Sequence, residues 1–278
     1  MTENTVTVIE PEELAATLEE QAAFMLIQVT SAEVFHQAHI SGAKLVEPRQ
    51  LVDGTPPATG RLPDVERLSE LFRSIGYAAD QNIIVYDDEG GGWAGRLGWT
   101  LDVIGHRSWT YLNGGLHAWV NAGYPLAQGA PEAPNDQRSA PAITIDQAPI
   151  AEIDDVLKAI DATDEVIWDV RSAEEFLGLR SGSQRAGHIP GAVNLDWLQL
   201  KDAGRDQRLS LDIPVRLEEL GLTRAGRVIT HCQTHHRSGL SYMVGRIHGL
   251  NIAAYHGSWS EWGNLADTPV ENPSEART

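Results

Sequence analysis

Cys232 is the single cysteine of this 278-residue chain, and it stands in RVITHCQTHHRSGLSYMVGRIHGL, between a short apolar run and an amphipathic stretch. That order predicts a thiol at the end of a strand, a short polar loop and then a helix. Ligands in open α/β sheets favour the carboxyl ends of strands, and a helix N-terminus adds unpaired N–H groups and positive potential. The same field stabilises a thiolate. An ordinary thiol of pKa near 8.5 is only about 3% ionised at pH 7, and such settings lower the pKa to roughly 3.5–7.5. The plainer alternative is a buried structural cysteine. The polar loop of Gln233, Thr234, His235, His236 and Arg237 argues against burial, so Cys232 is expected to be an activated nucleophile.

The charge pattern points the same way. The chain carries 39 acidic residues and a net charge of −18, yet residues 220–260 contain no acid. That window holds Arg224, Arg227, Arg237 and Arg246 together with five of the ten histidines, His231, His235, His236, His248 and His256. It predicts a locally positive basin around the thiol and a small anionic substrate. Arg237 is the expected anion contact, because its fork suits oxyanions. Gln233, Thr234, His235 and His236 are expected to line the substrate beside it.

Other chemistries compete for the same residues. A metal could take Cys232 with His231, His235 and His236, but structural zinc usually draws four spaced ligands from two segments. No metal and no cofactor are expected. A redox protein would need a resolving thiol, which the chain lacks. A cysteine phosphatase would need the loop to wrap a phosphate. The loop from Cys232 to Arg237 spans six residues, and phosphatase remains an alternative.

The elements that position this loop occur twice. LIQVTSAEVFHQAHISGA (26–43) is matched by IWDVRSAEEFLG and AGHIPGA within 167–192, at an offset of 141 at Val29 and Val170 and 149 at His39 and His188. An insertion near 179–185 accounts for the difference. IIVYDD (83–88) faces VITHC (228–232) at an offset of 144, which sets Asp88 against Cys232, and YLNGGLHAW (111–119) faces AYHGSWSEW (254–262) at 143. Four matches in one order mean a duplicated domain, at a period too long for a solenoid. Short apolar runs such as LIQV, IIVY, VIWDV and IAAY suit strands covered on both faces, alternating with amphipathic helices, so the class is α/β with mainly parallel sheets. AQGAPEAPNDQRSAPA reads as a linker. The boundaries expected are 1–127, a linker at 128–143, and 144–278.

Composition bounds the rest. With 42% hydrophobic and 22% charged residues the chain can bury a core. Its acidity disfavours nucleic acid or an anionic membrane as partner. No run reaches the ~18 apolar residues of a span, and the N-terminus lacks the pattern of a signal peptide. The cytoplasm and a monomer are expected.

The duplicated V-x-S-A-E-x-F and H-I-x-G-A blocks, the strand–Cys–loop–helix unit and GSWSEW (257–262) resemble the two-domain rhodaneses, the thiosulfate:cyanide sulfurtransferases. HIPGA (188–192) and YHGSWSEW (255–262) look like the family's two signature segments, with a departure at His256, and CQTHHR is similar to the loop of a bacterial subgroup. The resemblance implies tandem rhodanese-like domains, of which the second is catalytic. Cys232 would accept sulfane sulfur from a small anionic donor as a persulfide and pass it to a thiophilic acceptor. Arg171 matches a family arginine and would bind substrate, while Glu175 stands where many members carry Arg. Mercaptopyruvate as donor, and delivery to a protein acceptor, are the alternatives that the resemblance leaves.

Overall fold

A computed structural model describes residues 6–131 and 141–275. The first half runs β1 (Thr7–Ile9), α1 (Pro11–Glu19), β2 (Met25–Val29), α2 (Ala32–Gln37), β3 (Lys44–Val46), α3 (Val65–Ser74), β4 (Ile83–Asp87), α4 (Gly92–Val103), β5 (Trp109–Leu112) and α5 (Gly115–Asn121). The second runs β6 (Ile150–Ala151), α6 (Ile153–Asp161), β7 (Glu165–Asp169), α7 (Ala173–Phe176) and β8 (Val193–Asn194). A hairpin of β9 (Lys201–Asp202) and β10 (Arg208–Leu209) follows. The chain ends with α8 (Ile213–Glu219), β11 (Arg227–His231), α9 (Arg237–Ile247), β12 (Ile252–Tyr255) and α10 (Ser258–Trp262). The expected linker at 128–143 falls mostly on 132–140, outside the described residues.

Each half is a five-stranded sheet, ordered β1-β5-β4-β2-β3 and β6-β12-β11-β7-β8, with every pair parallel. The loop-bearing strands β4 and β11 lie at the centre. Their near-continuous apolar runs follow from cover on both faces. One core cluster spans the halves, joining Leu97 and Leu101 of α4 to Leu240, Tyr242 and Met243 of α9, while separate clusters cover the outer faces of the sheets.

The helices α4 and α9 meet almost backbone to backbone. A Cβ on Gly95 would lie 2.2 Å from the carbonyl oxygen of Gly239, and one on Gly239 would lie 2.5 Å from that of Gly92. Glycine is required at that crossing because no side chain fits. Asp102 of α4 is buried there, accepting from Trp109 Nε1 at 3.1 Å and from Tyr242 Oη at 2.7 Å, with Arg246 as its ion-pair partner. These contacts seat the first half against the helix that follows Cys232.

The register corrects one alignment. Gln28 pairs with Tyr86 in the first sheet and Asp169 with His231 in the second. Since Gln28 and Asp169 hold matching places before the shared Val, Tyr86 corresponds to His231. The counterpart of Cys232 is therefore Asp87, not Asp88. Helices α4 and α9 begin five residues beyond those two positions, at Gly92 and Arg237. The two loops are equal in length, and Arg96 lies one turn inside α4 rather than at the loop end.

Candidate active site

Cys232 follows directly on β11, and its side chain is buried in spite of the polar loop around it. The exposure expected from loop composition is thus corrected: the loop folds inward. Ser258 Oγ accepts from the Cys232 amide at 3.4 Å, and the amides of Trp259 and Ser260 donate to the carbonyls of Cys232 and Gln233 at 2.9 and 2.8 Å. GSWSEW therefore acts as a brace under the loop. Ser238 Oγ, on the first turn of α9, donates to Cys232 Sγ at 3.5 Å. Burial pushes the thiol pKa up, but the Arg237 charge, the hydroxyl and amide of Ser238, and His236 together outweigh it, leaving the thiol below its ordinary value.

The loop residues meet different partners. Gln233 Nε2 donates to Ser183 Oγ at 3.1 Å, while its Oε1 is buried with no partner. Gln233 and Thr234 line an open pocket of about 640 Å³ with Pro56, Thr59, Gly182 and Ser260. The pocket walls come from both halves and bear no charged side chain. His235 is fully buried in the left-handed region (φ 55°), and its Nδ1 lies 2.8 Å from Ser238 Oγ. His236 is stacked on Trp93 at 4.4 Å and is hydrogen-bonded to Glu89, both from the first half.

The acid-poor window is not acid-poor in space. Arg237 forms a two-pronged pair with Glu175 at 2.7 and 2.9 Å. Burial raises the Glu175 carboxyl, and Arg237 overrides it, holding the pKa down to about 2. Arg246 meets Asp102, His256 meets Glu152 at 3.2 Å, and Arg227 lies 3.7 Å from Asp155. The positive basin expected from sequence is largely compensated, because those acids arrive from other segments. Arg237 keeps its charge beside the thiol but is already held by a carboxylate.

Arg171 is a second correction. It is fully buried, clamped on Asp169 through Nε and Nη2 at 2.6–3.0 Å, bonded to the Gly187 carbonyl at 2.8 Å, and stacked 4.2 Å over Trp259. It holds the frame of the site rather than facing a donor. Within the insertion, Arg185 donates to the Trp262 and Thr268 carbonyls at 2.7 and 2.6 Å, whereas Arg180 is exposed and lies 3.4 Å from Glu175. His231, His235 and His236 do not converge on Cys232 as a metal set, and among the described residues no group of three or more His, Cys, Asp or Glu side chains could hold a metal ion.

Sequence reasoning missed Ser238, whose place one residue after Arg237 at the start of a helix was a usable signal. It also missed the first half's share. Arg96 is buried, donates to the Gly60 and Leu51 carbonyls at 2.7 and 2.6 Å, and lies 3.4 Å from the His235 carbonyl. Burial lowers its pKa to about 9, opposed by the neighbouring Cys232. His256, the departure in the signature segment, accepts from the Leu62 amide at 3.1 Å and ties the two halves together. Nothing in the local sequence marks these contacts.

A central parallel sheet in each half, with a thiol loop between strand and helix in the second, defines a tandem domain architecture with a single thiol. Residues 10–122 and 152–265 both match the family of the Rhodanese-like domain, so the chain belongs to that family. It is 45% identical over 265 residues to a thiosulfate sulfurtransferase of Azotobacter vinelandii, covering 95% of this chain and 96% of the relative. It is 43% identical over the same coverage to a thiosulfate sulfurtransferase of Pseudomonas aeruginosa. Among solved structures, the 3-mercaptopyruvate sulfurtransferase SseA of Escherichia coli superposes with a TM-score of 0.76 at 24% identity, over 92% of this chain and 99% of that one. Among the described residues no helix is long and apolar enough to cross a membrane.

Proposed function

We propose that the chain is a thiosulfate sulfurtransferase working through a persulfide on Cys232, with a catalytic domain at 144–278 joined by the 128–143 linker to a non-catalytic domain at 1–127. The Cys232 thiolate attacks the outer sulfur of thiosulfate. The donor's S–S bond breaks, and its electron pair leaves with sulfite. Cyanide or another thiophile then attacks the outer sulfur of the persulfide, forming thiocyanate in the case of cyanide and returning the bonding pair to Cys232. No external oxidant or reductant is consumed.

The observation that carries this reading is the buried thiol that accepts from Ser238 Oγ and is held below its ordinary pKa by Arg237 and Ser238, in a loop whose next two residues line a neutral polar pocket. A buried sulfur suits narrow reactants such as the terminal sulfur of thiosulfate and linear cyanide. Gln233, Thr234 and His236 would line the donor, and Arg237 would act on it through its charge while held by Glu175. The chain would work as a monomer in the cytoplasm, with a protein thiol as a further acceptor.

Intact mass after exposure to thiosulfate, 3-mercaptopyruvate or cysteine persulfide tests this directly. The expected result is uptake of one sulfur atom from thiosulfate and its loss on adding cyanide. Loading from mercaptopyruvate alone would overturn the choice of donor, and no loading from any of the three would overturn the persulfide.

A further inference from the structure

The hydrogen-bond chain behind the thiol has a direction that the chemistry of its members fixes. Ser238 Oγ lies 3.5 Å from Cys232 Sγ and 2.8 Å from His235 Nδ1. A serine hydroxyl has one proton. If that proton is given to sulfur, the oxygen must accept from His235, so the imidazole must carry its proton on Nδ1. The far nitrogen agrees: His235 Nε2 is buried and has no hydrogen-bond partner. An N–H buried there would lack an acceptor, whereas a bare ring nitrogen forgoes less. Trp99 of α4 packs perpendicular to the ring, with centroids 4.5 Å apart.

We propose that His235 is a positioning residue, a neutral imidazole whose Nδ1–H donates to Ser238 Oγ and thereby turns the serine's hydroxyl proton onto Cys232 Sγ. This rests on Cys232 being the reacting group, as proposed above, and it removes His235 from the residues that touch substrate. The setting forbids a second proton. Burial, Arg96 from α4, His256 after β12 and His236 in the loop all hold the ring well below its ordinary pKa. His235 is thus a fixed donor across the working range of pH. The groups that face Cys232 itself are Arg237 from α9, His236, and Arg96 from the first half. The left-handed backbone at His235 suits His and Asn better than most residues, which makes a rescue variant available.

Two measurements test the proposal without sulfur transfer, so its failure is distinct from failure of the proposed activity. In ¹⁵N NMR of the parent, the His235 ring is expected as the neutral Nδ1–H tautomer from pH 5 to 9; an Nε2–H tautomer or titration near 6.5 would overturn it. The second is the pH midpoint of Cys232 alkylation by iodoacetamide. Ser238→Ala should raise it by about one pH unit, the scale of one charge-assisted hydrogen bond. His235→Gln, whose amide cannot occupy the Nδ1 position, should raise it by roughly half as much. His235→Asn, which can, should restore the parent midpoint. In a Ser238→Ala background His235→Gln should add nothing. An equal rise in that background, or a parent-like midpoint in His235→Gln, would show that His235 does not act through Ser238.

Discussion

The loops 87–92 and 232–237 follow the central strand of their sheets, enter the paired helices α4 and α9, and have the same length. They differ in what fills them. In the first, the Asp87 carboxylate accepts from the amides of Glu89, Gly90, Gly91 and Ala94 at 2.9–3.2 Å. In the second, Cys232 occupies the corresponding place and Ser238 supplies the side-chain donor. Gly90 and His235, which correspond, are both left-handed, with φ of 89° and 55°. The first loop is a cradle closed by its own carboxyl group; the second holds a thiol in the same place. The charged pair beside the thiol is also missing from the first half, where Gly92 replaces Arg237 and Val34 replaces Glu175. A Cβ on Gly92 would meet the Glu89 carboxylate and lie 2.7 Å from His236 Nε2, so a larger residue there would have to displace that pair.

Changes to the nucleophile should separate the copies most sharply. Cys232→Ser should abolish thiocyanate formation, by roughly three orders of magnitude or more, since the chain has no other thiol. The circular dichroism spectrum should stay that of the parent; residual activity near the parent's would refute the mechanism. Placing Asp87→Cys in that background asks whether the first loop needs only a thiol. We expect sulfur loading at least about a hundredfold slower than at Cys232, because Glu89 stands in the loop and Gly92, not an arginine, opens its helix. Mass spectrometry of loading rates would show comparable uptake if the backbone alone activates a thiol.

The brace can be tested by stability. Asp87→Ala leaves buried amides without an acceptor and should cost about 3 kcal/mol in urea unfolding, against about 1 for Cys232→Ala. Equal losses would mean that Asp87 is not structural. Burial and the neighbouring Glu89 raise the Asp87 carboxyl pKa in spite of its amides, so the ionised form is harder to hold in the folded chain.

The smallest effect is expected at Glu175. Its folded pKa, held down to about 2 from an ordinary 4.5, means a stabilising contribution fully present above pH 4.5 and lost as pH falls toward 2. Glu175→Gln should therefore remove part of the parent's acid sensitivity between pH 4.5 and 2, read from urea midpoints at each pH. At pH 7 it should free Arg237 and lower the thiosulfate KM a few-fold. An unchanged KM would place Arg237 away from the donor.

The sequence by itself determined the duplication, the parallel α/β class and the place of Cys232 between strand and helix. Those features rest on local periodicity and on self-similarity, which a chain displays without folding. It also marked GSWSEW, though as a family signature and not as the brace beneath the loop. What it misjudged were matters of neighbourhood. The acid-free window around Cys232 implied a positive basin, but Glu175, Glu89 and Asp102 reach it from 62, 147 and 144 residues away. Arg171 matched a family arginine, and only the buried Asp169 and Trp259 show it to be part of the frame. Offset counting chose Asp88, and strand register chose Asp87. Charge compensation, burial and register depend on which segments meet, and tertiary packing alone brings them together, because a buried charge is tolerated only where a partner from elsewhere in the chain reaches it.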